Sequence, residues 1–406
     1  MIISRNLKRD SALLTGGHIL QTAVAFAVNL ILVRFISPEQ FGSFALAFAE
    51  AGLIFSFFSV RINFIIIRTP VAKFDDNLQD IFFSVSIIET FIATCIIFLW
   101  FGFNGSLDFW NLLIIGSLAL RHWSTLNKSF FERSMPYREL AVVETGSALF
   151  GHLVAFFVVL LGGGWIALFL REAFYSIAGT IGLRYVGGLT LRKFRMLTLE
   201  ELKTIYKETR GVWLDGLLEG TFQRMTIILA GHLCGLTVTG YLAQAQRLAT
   251  VPHQILTTFV NRIIVNVFSR IEERETRVYI RNKTIVILLI LLIAISPIIY
   301  LYSNPMIIWL FGQEWEPVGT MLILMIGYTI SLSPFEAVRS YCISAKHARK
   351  LLIGRFMQHL AFLGPLAIGA AGIINYENAL PLGFSAGYLL SFFLMLYLLH
   401  REERKW

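Results

Sequence analysis

Twelve stretches of about twenty mostly apolar residues run through this chain, and they constrain its fold more than any other feature. A helix needs about that many residues to cross the hydrocarbon of a bilayer. The windows are Ala12–Val33, Gly42–Ile62, Ile81–Phe103, Phe109–Ser129, Leu140–Leu161, Trp165–Val186, Val212–Ala230, Thr237–Leu256, Thr284–Tyr302, Val318–Val338, Leu352–Ile374 and Ala379–Leu399. Inside lipid every backbone polar group must be satisfied within its own segment, so such windows become helices. Apolar residues make up 56% of the 406 positions and charged residues only 15%. A soluble domain carries about 25% charged residues. The fold expected is an all-α polytopic membrane protein of about twelve transmembrane helices. The first window lacks a small-residue cleavage site and reads as a retained span, not a signal peptide.

The formal charge of +9 has to be read against that map. Cytoplasmic loops are enriched in Lys and Arg. If both termini lie inside, the inner segments contain 31 of the 35 basic residues, among them Arg61, Arg121, Arg133, Arg192, Arg281, Arg339 and Arg355. The outer loops instead hold Asp108, Glu314, Glu316 and Glu377. The expected location is a cell membrane (inner or plasma membrane), multi-pass, with both termini cytoplasmic. Spread over seven segments, the charge makes no basic face for nucleic acid. Four basic residues do not fit the inner loops: Arg34 at the outer end of the first span, and Arg171, Arg224 and Arg247 within spans six, seven and eight.

The polar stretch 189–211 divides the spans six and six. It is basic, with Leu197, Leu199, Leu202, Ile205 and Tyr206 at near-helical spacing, which predicts an interfacial amphipathic linker. The expected organisation is therefore an N-terminal lobe 1–188, a cytoplasmic linker 189–211 and a C-terminal lobe 212–406. At an offset of 198 residues, Phe35, Gly42, Ala45 and Ala47 match Leu233, Gly240, Ala243 and Ala245 in type. Two six-span halves in one orientation imply a parallel repeat with a path at the repeat interface.

Ionisable groups at membrane depth cost several kcal/mol by insertion scales and face a cavity or a partner. Arg247, Arg224 and Arg171 are the candidate anion contacts, with Gln244 and Tyr241 close to Arg247 on the same span. An Arg fork suits phosphate because it donates two parallel hydrogen bonds. Asp215 and Glu219 are four apart and share a face, and Glu50 lies within span two; these three are the candidate ion-coupling carboxylates. The structural alternative makes each Arg a partner for a neighbouring Glu that locks helices together. Glu172 directly follows Arg171, and adjacent helical residues do not face each other. His18, His152 and His359 read as packed polar residues. Trp100, Trp110, Trp165, Trp309 and Trp315 read as an interfacial aromatic belt. Cys95, Cys234 and Cys342 are too scattered for a disulfide framework or a metal site. No metal-ligand spacing, Walker sequence or nucleophile elbow occurs, so neither cofactor nor enzymatic activity is expected.

Four segments carry a resemblance. Leu32-Val33-Arg34-Phe35-Ile36-Ser37-Pro38-Glu39-Gln40-Phe41-Gly42 resembles the LxRxLSPExFG signature of polysaccharide (O-antigen-type) flippases. Glu132-Arg133 with Tyr137 and Ala141 resembles their ERxxxF/YxxxA loop, and Gly240-Tyr241, Ala245, Arg247-Leu248 and Pro252 their GxYxxAxRLxxxP stretch. Leu310-Phe311-Gly312-Gln313-Glu314-Trp315 resembles LFGxxW. Two positions depart from the pattern: Gln223 stands where an acidic residue is usual, and Asn266 stands where a Pro is usual nearby.

The resemblance is to the multidrug/oligosaccharidyl-lipid/polysaccharide (MOP) exporter superfamily. It implies a MATE-like fold of two six-helix lobes with alternating access, and a polyprenyl-pyrophosphate-linked oligosaccharide moved to the outer face of the membrane. The partners so implied are that substrate and the lipid bilayer, with a polysaccharide polymerase and glycosyltransferases as candidate protein partners. The competing readings are a MATE-like drug/cation antiporter and a non-transporting scaffold for polysaccharide assembly.

Overall fold

The computed structural model describes the backbone of residues 3–70, 74–133, 137–268, 273–345 and 347–403. Side chains are described over the same residues except 3–15, 18, 68, 137, 257–268, 344 and 348. His18, Asn266, the side chain of Tyr137 and the basic residues Arg5, Lys8, Arg9, Arg68, Lys73, Arg262, Arg270, Lys346, Arg404 and Lys405 thus lie outside the described side chains.

The elements of the described residues are all helical: α1 Ile3–Phe35, α2 Pro38–Phe58, α3 Ile62–Arg68, α4 Asp76–Phe103, α5 Phe109–Glu132, α6 Tyr137–Leu160, α7 Ile166–Tyr185, α8 Leu199–Leu233, α9 Leu236–Phe268, α10 Arg274–Phe311, α11 Glu316–Leu324, α12 Ile326–Ser344, α13 Ala348–Ala370 and α14 Tyr376–Glu403. Each of the twelve apolar windows falls mainly on one long helix, the tenth on α11 and α12 together. Among the described residues, seven helices are long and apolar enough to cross a membrane singly. The α11–α12 pair, bent by 53°, passes the same test when its two helices are taken together, as one broken span or a re-entrant loop. The other four windows lie on α1, α5, α8 and α9, where charge or polarity dilutes the apolar run.

Local chemistry sets the helix starts. Asp75 and Asp108 cap α4 and α5, accepting from the amides of Leu78 (2.8 Å) and Asn111 (2.7 Å). α2 and α8 open with reciprocal capping boxes. Ser37 N–H donates to Gln40 Oε1 while Gln40 N–H donates to Ser37 Oγ, each at 3.3 Å, and Pro38 takes the first helical position. Thr198 and Glu201 do the same for α8. The expected interfacial linker is not a separate helix. Residues 189–198 are irregular, and from Leu199 the polar stretch forms the first turns of α8, which runs unbroken for 35 residues.

Nor is the window Gly42–Ile62 one helix. α2 ends at Phe58, and Arg61 at φ 59°, ψ 41° separates it from the two-turn α3. Among the described non-glycine residues, Arg61 alone has positive φ.

The chain divides into two compact units. The first comprises Met1–Ile36 and Ala47–Thr221, the second Ser37–Leu46 and Phe222–Trp406. In the first, α1 packs on α6, α6 and α5 on α7, and α4 and α3 on α5. Its inner core gathers Ile62, Ile66, Phe82, Leu126 and Ile205. In the second, α14 packs on α13 and α12, and α12 on α9 and α10. Phe222, Tyr328, Phe384 and Tyr388 form its aromatic centre, with ring centroids 4.7–5.5 Å apart.

The 198-residue offset recurs in the helix boundaries. α1 and α8 end at Phe35 and Leu233, and α2 and α9 begin at Pro38 and Leu236, the same offset in both cases. The two helix starts cross at Gly42 and Gly240. A Cβ built on Gly42 would lie 2.7 Å from the Leu236 carbonyl carbon and 2.9 Å from Gly240 N. One on Gly240 would lie 2.8 Å from the Pro38 carbonyl carbon. Only glycine permits this approach, and each half of the repeat supplies the backbone that the other half's glycine admits.

Candidate functional site

The candidate site residues fall in both units. Arg171, Glu50, Asp215 and Glu219 belong to the first, and Arg224, Tyr241, Gln244 and Arg247 to the second. Asp215 and Gln244 are buried, at 4% and 2% exposure; Arg171, Glu219, Arg224, Tyr241 and Arg247 are half-buried. Glu50 is buried on α2, and its Oε2 accepts from Trp100 Nε1 at 3.0 Å.

In the first unit Arg171 belongs to a cluster. Glu172 accepts from Arg121 Nη2 at 2.5 Å and from Arg171 Nη2 at 3.0 Å and Nε at 3.1 Å. The expectation that Arg171 and Glu172 do not face each other is corrected here. Their backbones diverge, but the Arg side chain is long enough to fold back along the helix surface. Two guanidiniums thus share one carboxylate, and Arg121 also stacks over Tyr175 at 4.7 Å. Arg121, Ser124, Thr125, Lys128, Glu144, Ser147 and Tyr175 line a cavity of about 190 Å³, across which Lys128 pairs with Glu144. Arg121 keeps a buried Nε–H without a hydrogen-bond partner.

Arg121 is therefore no cytoplasmic marker. It sits midway along the 24-residue α5, about 17 Å from either end at 1.5 Å per residue. Three more residues counted with the inner loops are structural. Arg355 is fully buried on α13, donating to Gln358 Oε1 at 3.2 Å with Glu336 at 3.7 Å. Arg281 is 3% exposed, bound twice to Glu403 (2.6 and 3.1 Å) under the Tyr341 ring. Arg61 donates to the Gly216 carbonyl at 3.4 Å. Arg61, Arg281 and Arg355 lie near span ends in sequence, and which way such a side chain points is set by packing, not by position along the chain.

The belt reading of Trp315 is also corrected. Its ring is 1% exposed and packs edge-on against Phe41 (5.5 Å), Tyr241 (6.0 Å) and Phe311 (6.1 Å). Gly312, at φ 105°, turns the chain out of α10 so that the 3-10 turn 313–315 can deliver this ring. Trp309, at 76% exposure, and Trp100, at 42%, do face outward. Three of the four sequence signatures thus converge on one junction. In the fourth, Arg133 donates to the Thr69 carbonyl at 2.8 Å and to that of Ile66, and stacks on Phe74 at 3.8 Å.

Spanning helices with ion pairs sealed among them define an integral membrane protein whose charge lies in its interior as well as its loops. A profile of polysaccharide biosynthesis proteins matches residues 31–319, and the chain belongs to that family. It is 23% identical over 359 residues to the succinoglycan biosynthesis transport protein ExoT of Rhizobium meliloti (strain 1021), covering 85% of this chain and 70% of that one. Among solved structures, the inward closed lipid II flippase MurJ superposes with a TM-score of 0.70 at 12% identity, covering 96% of this chain and 87% of that one. The eukaryotic MATE transporter AtDTX14 gives 0.68 at 12% identity, with 97% and 95% covered. A MOP-superfamily transporter from Pyrococcus furiosus gives 0.62 at 14%, with 97% and 95% covered. The fold is that of the MOP-superfamily transporters.

Proposed function

We propose that the chain is a flippase that carries a polyprenyl-pyrophosphate-linked oligosaccharide from the cytoplasmic to the outer face of the membrane, for surface polysaccharide biosynthesis. The six-span lobes 1–188 and 212–406, joined by 189–211, would alternate access with both termini inside. Family membership supports the pathway, and the fold supports transport. The observation that carries an anionic cargo is the mid-span cavity beside Arg121, which offers a buried N–H with no hydrogen-bond partner. A pyrophosphate oxygen fits that donor, and bidentate guanidinium contacts favour phosphate over the sugar hydroxyls. Arg247, Arg224 and Arg171, with Gln244 and Tyr241, complete the proposed cargo contacts. Asp215, Glu219 and Glu50 are the proposed coupling carboxylates.

The test is a reconstituted assay. Purified protein in liposomes is given a fluorescent lipid-linked oligosaccharide, and a membrane-impermeant quencher reports the fraction that crosses. Protein-dependent crossing that Arg247→Ala abolishes is the expected result. No crossing by folded protein, or wild-type crossing by Arg247→Ala, overturns the assignment. Export of a cationic drug in place of the sugar lipid would make the protein an antiporter.

A further inference from the structure

The break in span two is held by a buried carboxylate–imidazole pair that no step above uses. Glu89 is on α4, 8% exposed and about 20 Å from either end of that 28-residue helix at 1.5 Å per residue. Its Oε1 accepts from the Val60 backbone N–H at 3.0 Å. Its Oε2 lies 3.0 Å from His122 Nε2 on α5. Val60 sits between the end of α2 and Arg61, where the chain leaves the helix. The His122 ring packs on Phe55, 5.7 Å away in the last turn of α2. One carboxylate thus binds both the broken backbone and an imidazole on the neighbouring helix.

The surroundings suit a moving part. Arg61 holds a left-handed conformation that L side chains rarely adopt, supported by its bond to the Gly216 carbonyl. A Cβ on Gly216 would lie 2.6 Å from Arg61 Nε, so glycine makes the room for it. Beside α3 lies a cavity of about 370 Å³, lined by Arg61, Phe64, Ile65, Pro70 and Glu208 among others. Ser86, one turn inward of Glu89 and on its face, is buried with no partner for its hydroxyl.

The other charged groups on the packed elements are engaged elsewhere or lie apart. On α5, Arg121 is bound to Glu172. On α2, Glu50 accepts from Trp100. On α8, Asp215 adjoins Gly216, and Glu208 borders the cavity.

We propose that Glu89 and His122 together form a proton-binding site that latches the α2–α3 hinge. With the carboxylate ionised and the imidazole neutral, the pair carries one negative charge and holds the Val60 amide by a charge-assisted bond. Uptake of one proton neutralises the pair and weakens that acceptor. The hinge is then free to close toward a continuous helix or to swing α3 into the cavity. The proton is released when the latch re-forms. The latch belongs to the hinge alone and holds whatever the cargo is.

Hydrogen exchange tests it on the full-length protein in lipid nanodiscs. Exchange of the segment containing Val60, corrected for the intrinsic pH dependence, is followed from about pH 8 to pH 5, the range of histidine titration. In wild type, protection falls about tenfold on acidification as the local opening becomes easier. Glu89→Gln, a mimic of the protonated carboxyl, exchanges fast at every pH. His122→Gln retains the carboxylate but moves the transition to lower pH. A flat wild-type profile, or Glu89→Gln with the wild-type profile, overturns the latch. If Glu89→Gln fails to fold, His122→Gln decides: a profile superimposable on wild type overturns the proposal. Transport is not measured, so loss of the flippase reading leaves this result intact, and the reverse.

Discussion

Gly42→Ala is the sharpest test of the repeat crossing. Ordinary contact to a Cβ begins near 3.4 Å, and the new methyl would meet the Leu236 carbonyl carbon at 2.7 Å. The Leu236 carbonyl oxygen lies nearer still, so the helix starts must part by more than the 0.7 Å the carbon alone demands, because the obstacle is backbone and cannot swing aside. Overpacking of this kind costs about 1–3 kcal/mol. Alanine's better helix propensity returns about 0.5–1 kcal/mol, leaving a net loss of up to about 2.5 kcal/mol, toward the upper end because neither backbone can yield. In a unit of 195 residues, each kcal/mol lowers Tm by about 2–4 °C. Thermal unfolding of the purified protein in detergent should therefore show a drop of up to about 10 °C. Gly102→Ala is the control, since a Cβ there meets nothing within 4 Å. Gly240→Ala should behave like Gly42→Ala. The double variant should lose less than the sum, because one separation of the helices relieves both clashes. A Gly42→Ala protein that melts at or above Gly102→Ala would refute the reasoning.

Other outcomes follow from single contacts. Arg281→Met strands the Glu403 carboxylate and should cost about 3–5 kcal/mol, while Arg281→Met with Glu403→Leu should recover most of the melting temperature. Cys234, in the turn between α8 and α9, has its thiol pKa pushed up to about 11 by burial and by Glu377. The reactive species is the thiolate, so maleimide labelling at pH 8 should be on the order of a hundredfold slower than for a free thiol. The rate should then climb about tenfold per pH unit; a rate already flat by pH 9 would contradict the shift. Arg121→Lys preserves the charge but loses the fork and the Tyr175 stacking. In the reconstituted assay for the proposed flippase activity, the rate should fall by about 10–100-fold at unchanged expression, the worth of one charge-assisted hydrogen bond.

Much of this fold is legible in one dimension because lipid punishes ambiguity. Windows of the right length become helices, and the short segment Ser37-Pro38-Glu39-Gln40 announces a helix start with its own caps. What depends on packing is not written that way. The α2–α3 break hides inside an apolar window because Arg61 owes its conformation to Gly216, more than 150 residues away. Arg121 falls within the fourth window, where burial and snorkelling to the inner interface are both open; Glu172 and Tyr175 beside it decide for the interior. The Glu89–His122 pair joins two spans 33 positions apart, and no spacing rule reaches so far. Carboxylates and guanidiniums at membrane depth are readily found in a sequence; which ones meet is a property of helix rotation.

The junction around Trp315 has a consequence for how such chains are recognised. Phe41, Tyr241, Phe311 and Trp315 are aromatic members of three separate signatures, and the first three all pack on the Trp315 ring. Gly42 and Gly240 are in the same signatures because two backbones pass there. A chain that preserves all of them advertises that its two repeats dock in a given register. That badge is silent about freight: a relative could replace every cavity side chain, carry another molecule, and still be found by the same search.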